Sequence, residues 1–160
     1  MSLELKINAI PLELGGIVDI RTLEEAALQK AGPLRRLFKR LPPGQMLFRA
    51  DNCKLECFHE DFCIYPCTHG YLNQDRQWKT RVSVYVADGR VQKLEFRVVD
   101  GRYAATNFLE RFHEACCGVL GAPVESSRFL TRWRNGAAAV TSTLHPNMVN
   151  VDFLMELEEA

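Results

Sequence analysis

The sequence predicts an α+β fold: a mostly antiparallel sheet of about seven strands, with a helix over about 107–120 packed on one face and one or two short N-terminal helices. Three observations carry that expectation. Val82, Val84 and Val86, and then Leu94, Phe96 and Val98, alternate with polar residues at the period of half-buried strands. Between Thr106 and Gly121 the apolar period changes. Phe108, Leu109, Phe112, Ala115, Cys116, Val119 and Leu120 fall within roughly 140° of a helical wheel, a face wide enough to cover a sheet. The last third carries two hairpin signals, Asn135-Gly136 and His145-Pro146-Asn147-Met148.

Taken in order, Leu3, Leu5, Ile7 and Ala9 alternate with Glu4, Lys6 and Asn8 and read as a first strand, broken by Pro11 and Gly15-Gly16. Thr22 with Glu25 reads as a capping box, starting a helix that runs to about Ala31 and stops at Gly32-Pro33. A second short helical stretch, LRRLFKRL, ends at Pro42-Pro43-Gly44. Strands follow from about Met46 to Val99. For the hairpin around Ala87-Asp88-Gly89, a plain two-residue loop sets Val84 opposite Lys93 and splits the apolar residues between two faces. A three-residue loop sets Val84 against Gln92 and Val82 against Leu94, so that loop is expected. Gly121 and Pro123 end the long helix. In the final meander a two-residue Asn-Gly loop sets Trp133 against Ala138 and Thr131 against Val140, and a four-residue loop sets Leu144 against Val149 and Val140 against Phe153.

At 160 residues the chain is expected to form a single domain, residues 1–160, with a sizeable core. Its 47% hydrophobic and 25% charged residues are those of a globular protein. Twenty basic and twenty acidic side chains cancel, which removes any long-range attraction to nucleic acid or an anionic membrane. The N-terminus lacks a basic segment leading into an apolar run, and no window approaches the ~18 apolar residues of a membrane span. The expected location is therefore cytoplasmic, where thiols stay reduced.

Four of the six cysteines lie in CKLECFHEDFCIYPC, residues 53–67. If 53–58 and 62–67 form a hairpin, Cys57 faces Cys63, Cys53 faces Cys67, and all four share a face with Leu55 and Tyr65. Residues four apart on a strand are roughly 13 Å apart, too far for sulfurs that must each lie about 2.3 Å from one zinc ion. Cross-strand disulfides fit the geometry but not a reducing compartment. The expectation is a buried apolar cysteine face with no metal and no cofactor, and the alternative is a thiol-redox or metal-responsive hairpin. Cys116-Cys117 lies near the end of the helix, where the dipole disfavours a thiolate, with His113 within reach of Cys117 at i+4.

Two surface segments draw attention. Arg35, Arg36, Lys39 and Arg40 form a cationic stripe, read mainly as a solvated helix face, with contact to a phosphate backbone or an acidic partner as the lesser alternative. Residues 68–78, THGYLNQDRQW, show neither period and carry His69, Tyr71, Arg76 and Trp78, residue types enriched at interaction hot spots. No dinucleotide, phosphate-loop, zinc-protease or nucleophile-elbow motif is present. The expectation is a non-catalytic accessory protein acting by contact with a protein partner through the 68–78 loop and the adjacent sheet edge, with no nucleic acid or membrane partner and a homodimer left open.

Overall fold

The computed structural model describes residues 3–51, 53, 55–57, 78–100, 104–145 and 150–157. In chain order these form β1 (Glu4–Ile7), β2 (Ile10–Glu13), α1 (Ile20–Glu25), β3 (Gln29–Lys30), α2 (Pro33–Lys39), β4 (Gln45–Asp51), β5 (Leu55–Cys57), β6 (Trp78–Ala87), β7 (Arg90–Asp100), α3 (Ala104–Leu120), β8 (Glu125–Ser126), β9 (Leu130–Asn135), β10 (Ala138–Leu144) and β11 (Asn150–Leu157). The α+β class and the antiparallel pairing are as the sequence predicts. The expectation of seven strands is not met: eight form one sheet, in the order β3-β4-β6-β7-β11-β10-β9-β8, and three form a second, β2-β1-β5. The extra strands are mostly two to four residues long, too short for periodicity to reveal. Two of them, β3 and β8, close the edges of the large sheet, and such short edges resist pairing with other chains.

The N-terminal helices also differ from expectation. Asp19, not Thr22, caps α1: its Oδ1 accepts from the Thr22 backbone N–H at 2.8 Å and from the Thr22 hydroxyl at 2.9 Å. The helix ends at Glu25, and Gln29–Lys30 is already strand. Gly32-Pro33 therefore starts α2 rather than stopping α1, with Pro33 in the first turn, where its missing N–H leaves no bond unmade. Pro11 does not break the first hairpin. It sits in β2, at the edge of the small sheet, where a proline is tolerated. The chain reverses at Asn8-Ala9, both with positive φ (50° and 67°).

Each long hairpin keeps its apolar residues on one face by a different device from the one expected. Between β6 and β7 the loop is the two-residue Asp88-Gly89, both with positive φ, and Ala87 pairs with Arg90. A bulge after Tyr85 then shifts the register, so Val84 meets Leu94 and Val82 meets Phe96. Between β9 and β10 the reversal falls one residue later than Asn135-Gly136 implies. Asn135 pairs with Ala138, Trp133 meets Val140, and Gly136 takes φ of +60° at the first loop position. In β10–β11 Leu144 pairs with Val151 and Val140 with Met155, two residues from the expected register. A slip of two preserves the face, which is why the apolar side was legible although the partners were not.

One face of the large sheet is the core. Phe48, Val84, Leu94, Met155, Val140 and Trp133 line up across the strands, and Ala50, Val82, Phe96, Phe153 and Ser142 form the next row. All of these are buried. The long helix α3 packs on β7, β9 and β11 and inserts Phe112 and Cys116, both fully buried. The Phe112 ring lies 3.9 Å from that of Phe153, 5.8 Å from Phe96 and 6.5 Å from Trp133. Leu5, Ile7 and Leu12 of the small sheet, with Leu23, Ala26 and Leu28 around α1, join the same hydrophobic cluster. The Asn8 side chain donates to the Ala26 carbonyl at 2.8 Å and ties α1 to the small sheet.

Candidate functional site

Alternation in the strands sends the intervening residues of β4, β6, β7 and β11 to the opposite face, and these are mainly charged. One cross-strand row reads Asp51, Arg81, Arg97, Asp152, and the next reads Arg49, Ser83, Glu95, Leu154. In the first row Arg81 and Arg97 stand directly opposite one another, an arrangement that like charge disfavours. The flanking carboxylates compensate. Asp51 accepts from Arg81 Nε at 3.0 Å, and Asp152 accepts from Arg97 Nε and Nη2 at 2.6 and 2.9 Å. His145 Nε2 lies 2.7 Å from the second oxygen of Asp152. Burial alone would raise the Asp152 carboxyl, but the hydrogen bonds from Arg97 and His145 outweigh it and hold the group below its usual range. The same bond to Asp152 holds the Arg97 guanidinium above its usual value.

A cavity of about 610 Å³ opens on this face, lined by Leu34, Lys39, Arg49, Arg81, Ser83, Glu95 and Arg97. Its side wall is α2, which presents Leu34 and Leu37 to solvent at 73% and 74% exposure. They are three apart and so lie on one side of the helix. Lys39 Nζ, at the end of α2, reaches Glu95 at 3.8 Å. A second cavity of about 430 Å³ shares Lys39 and Glu95 and extends past Leu41 and Pro42 to Tyr85. Tyr85 is buried there, with the Lys93 ammonium 4.9 Å from its ring centre. Burial and the nearby Glu95 push its hydroxyl up to about 12, so it remains protonated and available to donate. The arginines thus fall into two states. Arg81 and Arg97 are held by carboxylates, whereas Arg49 has no acidic partner among the described residues and its buried Nε has no hydrogen-bond partner.

His69, Tyr71 and Arg76 lie outside the described residues. Trp78 belongs not to a loop but to the start of β6, paired with Asp100. Cys63 and Cys67 also lie outside the described residues. Cys53 and Cys57 are each 2% exposed, and Cys57 pairs with Leu5 of β1. Burial first, then Cys57 and Cys117, pushes the Cys116 thiol well above its ordinary value, so it is a packing group and a poor thiolate. Cys117 is exposed. His113 turns to Ser142 instead of Cys117, with Nε2 2.7 Å from the hydroxyl, and stands edge-on to Trp133. Burial lowers the His113 imidazole below its ordinary value. Ser142 is 2% exposed and no carboxylate holds His113 among the described residues, so the pair satisfies core polarity and presents no accessible nucleophile. No group of three or more His, Cys, Asp or Glu among the described residues is placed to hold a metal ion, and no described helix is long and apolar enough to cross a membrane.

The charged groove was missed at the sequence level because its residues come from four segments whose neighbour relations are long-range. The signal was present only in pieces: Arg81-Val82-Ser83-Val84-Tyr85 and Lys93-Leu94-Glu95-Phe96-Arg97 alternate cleanly. Nothing in either piece says that Arg49 lies beside Ser83, because β4 and β6 are far apart in the chain. No protein-family model, curated protein or solved structure matches the chain.

Proposed function

We propose that the chain is a non-catalytic binding protein that takes a segment of a partner protein in the groove between α2 and the charged face of the large sheet. One observation carries this reading: a cavity of about 610 Å³ with a charged floor is bordered by Leu34, an apolar side chain left 73% exposed. Exposed leucines beside a polar, concave surface are the composition of a recognition site, where apolar contact supplies affinity and charges set register. A partner segment lying in the groove would cover Leu34 and Leu37 while keeping the carboxylate-paired arginines at its flank. The surface differs from the 68–78 loop expected from the sequence, and the reading rests on the groove alone. The buried Cys53, Cys57 and Cys116 give no support to a thiol-based function.

The test is comparative capture from the source cell extract with the wild type and a Leu34→Ser/Leu37→Ser variant, together with the melting temperature of each. Both side chains are exposed, so the variant is expected to melt within a few degrees of the wild type while losing the captured partner. Equal capture by both proteins would overturn the reading.

A further inference from the structure

We infer that Arg49 is the seat for a carboxylate presented by an acidic segment of the bound partner. The inference rests on the proposed groove and adds the chemistry of its occupant. The groove neutralises its own cations pairwise: Asp51 holds Arg81, Asp152 holds Arg97 and Glu95 approaches Lys39. Arg49 is left over, with no acidic partner among the described residues. Its Nε is buried without a hydrogen-bond partner and closed to solvent, so the part of the guanidinium that lines the cavity is what meets an arriving acceptor. Ser83 stands directly opposite Arg49 on the neighbouring strand, lines the same cavity and can contribute its hydroxyl.

The lining points to the class of occupant. Among the described side chains that line the cavity, Lys39, Arg49, Arg81 and Arg97 are positive and Glu95 is negative, while Asp51 and Asp152 beside the lining hold Arg81 and Arg97. A carboxylate brings one negative charge and two acceptor oxygens that match the guanidinium fork. A phosphate monoester brings more charge, about −1.5 to −2, and no apolar group to meet Leu34, so inorganic phosphate serves as the control. The apolar wall at Leu34 places a hydrophobic side chain next to that carboxylate, so the occupant is a segment that mixes acidic and apolar residues.

The experiment is an NMR titration of the full chain that follows arginine Nε–Hε signals and backbone amides. The probe is the peptide acetyl-Leu-Glu-Leu-Glu-amide. Its Gln-for-Glu counterpart and inorganic phosphate are controls at matched ionic strength. The expected result is a saturable movement of the Arg49 Hε signal, as its guanidinium is engaged, and a shift at Ser83, with binding weakened about tenfold or more when Gln replaces Glu. Arg49→Gln abolishes the response, Arg49→Lys retains part of it, and Arg21→Gln, an exposed site on α1, leaves it unchanged. Equal binding of the Gln peptide overturns the carboxylate seat while leaving the groove as a binding site. Saturable phosphate binding without a response to the acidic peptide also overturns it. No binding of either peptide, with partner capture still lost in Leu34→Ser/Leu37→Ser, overturns the seat and spares the groove.

Discussion

Replacing Phe112 by Ala tests whether α3 closes the core as described. The ring is fully buried on the inner face of α3 and sits among three aromatic rings, with centres 3.9 Å away at Phe153, 5.8 Å at Phe96 and 6.5 Å at Trp133. Truncating a buried Phe costs about 3–5 kcal/mol through lost transfer energy and the cavity left behind. Edge and tilted ring contacts add about 0.5–1.5 kcal/mol each, so the upper half of that range applies. For a chain of this size 1 kcal/mol moves the melting temperature by about 2–4 °C, so the loss should be roughly 8–20 °C. Urea unfolding followed by circular dichroism is the assay, with the slope against urea unchanged and only the midpoint moved. Phe112→Leu keeps much of the volume and should lose only about 1–2 kcal/mol. A loss below about 1 kcal/mol for Phe112→Ala would refute the seating of α3 against β7, β9 and β11.

Three further outcomes follow from the same structure. Asp152→Asn removes the carboxylate that holds Arg97 and His145 and should destabilise by about 1–3 kcal/mol at pH 7; because the folded carboxyl lies below its ordinary value, the difference from wild type should shrink as pH falls below about 4, read from urea midpoints at each pH. Burial lowers His113, so the unfolded chain takes up that proton first on acidification: wild-type stability should be full above about pH 6.5 and decline below it, and His113→Gln should remove that part of the pH dependence, measured by calorimetric scans from pH 8 to pH 5. A thiol reagent with mass mapping should label Cys117 on the native protein, with Cys53, Cys57 and Cys116 labelled only after unfolding.

How much of this was legible in the sequence differs by element. The long helix and its inner face were, because Phe112 and Cys116 repeat at the helical period and both prove fully buried. The inner faces of β6, β7, β10 and β11 were also legible, since alternation assigns a face whatever the partner strand. Register was not. It depends on a bulge after Tyr85 and on whether Gly136 takes the first or second loop position, and neither leaves a trace in hydrophobic alternation. The start of α1 was misread because Asp19 and Thr22 are both good caps, and only the geometry selects Asp19. The candidate site was the least legible part. Arg49, Arg81 and Arg97 each look like ordinary outward strand residues, and their convergence is a property of the order β4-β6-β7. The segment of α2 was read only as a short helical stretch, and the exposure of Leu34 and Leu37 becomes evident only once the helix is placed against the sheet.

The most direct test of the central claim is photo-crosslinking in the source cell with a benzophenone amino acid placed at Leu34, at Leu37, or at Cys117 on the outer side of α3. All three positions are exposed, so each can react with whatever lies against it. A partner seated in the groove predicts one protein adduct shared by positions 34 and 37 and absent at 117. An adduct at 117 with none at 34 or 37 would place the working surface on the opposite side of the sheet and contradict the account.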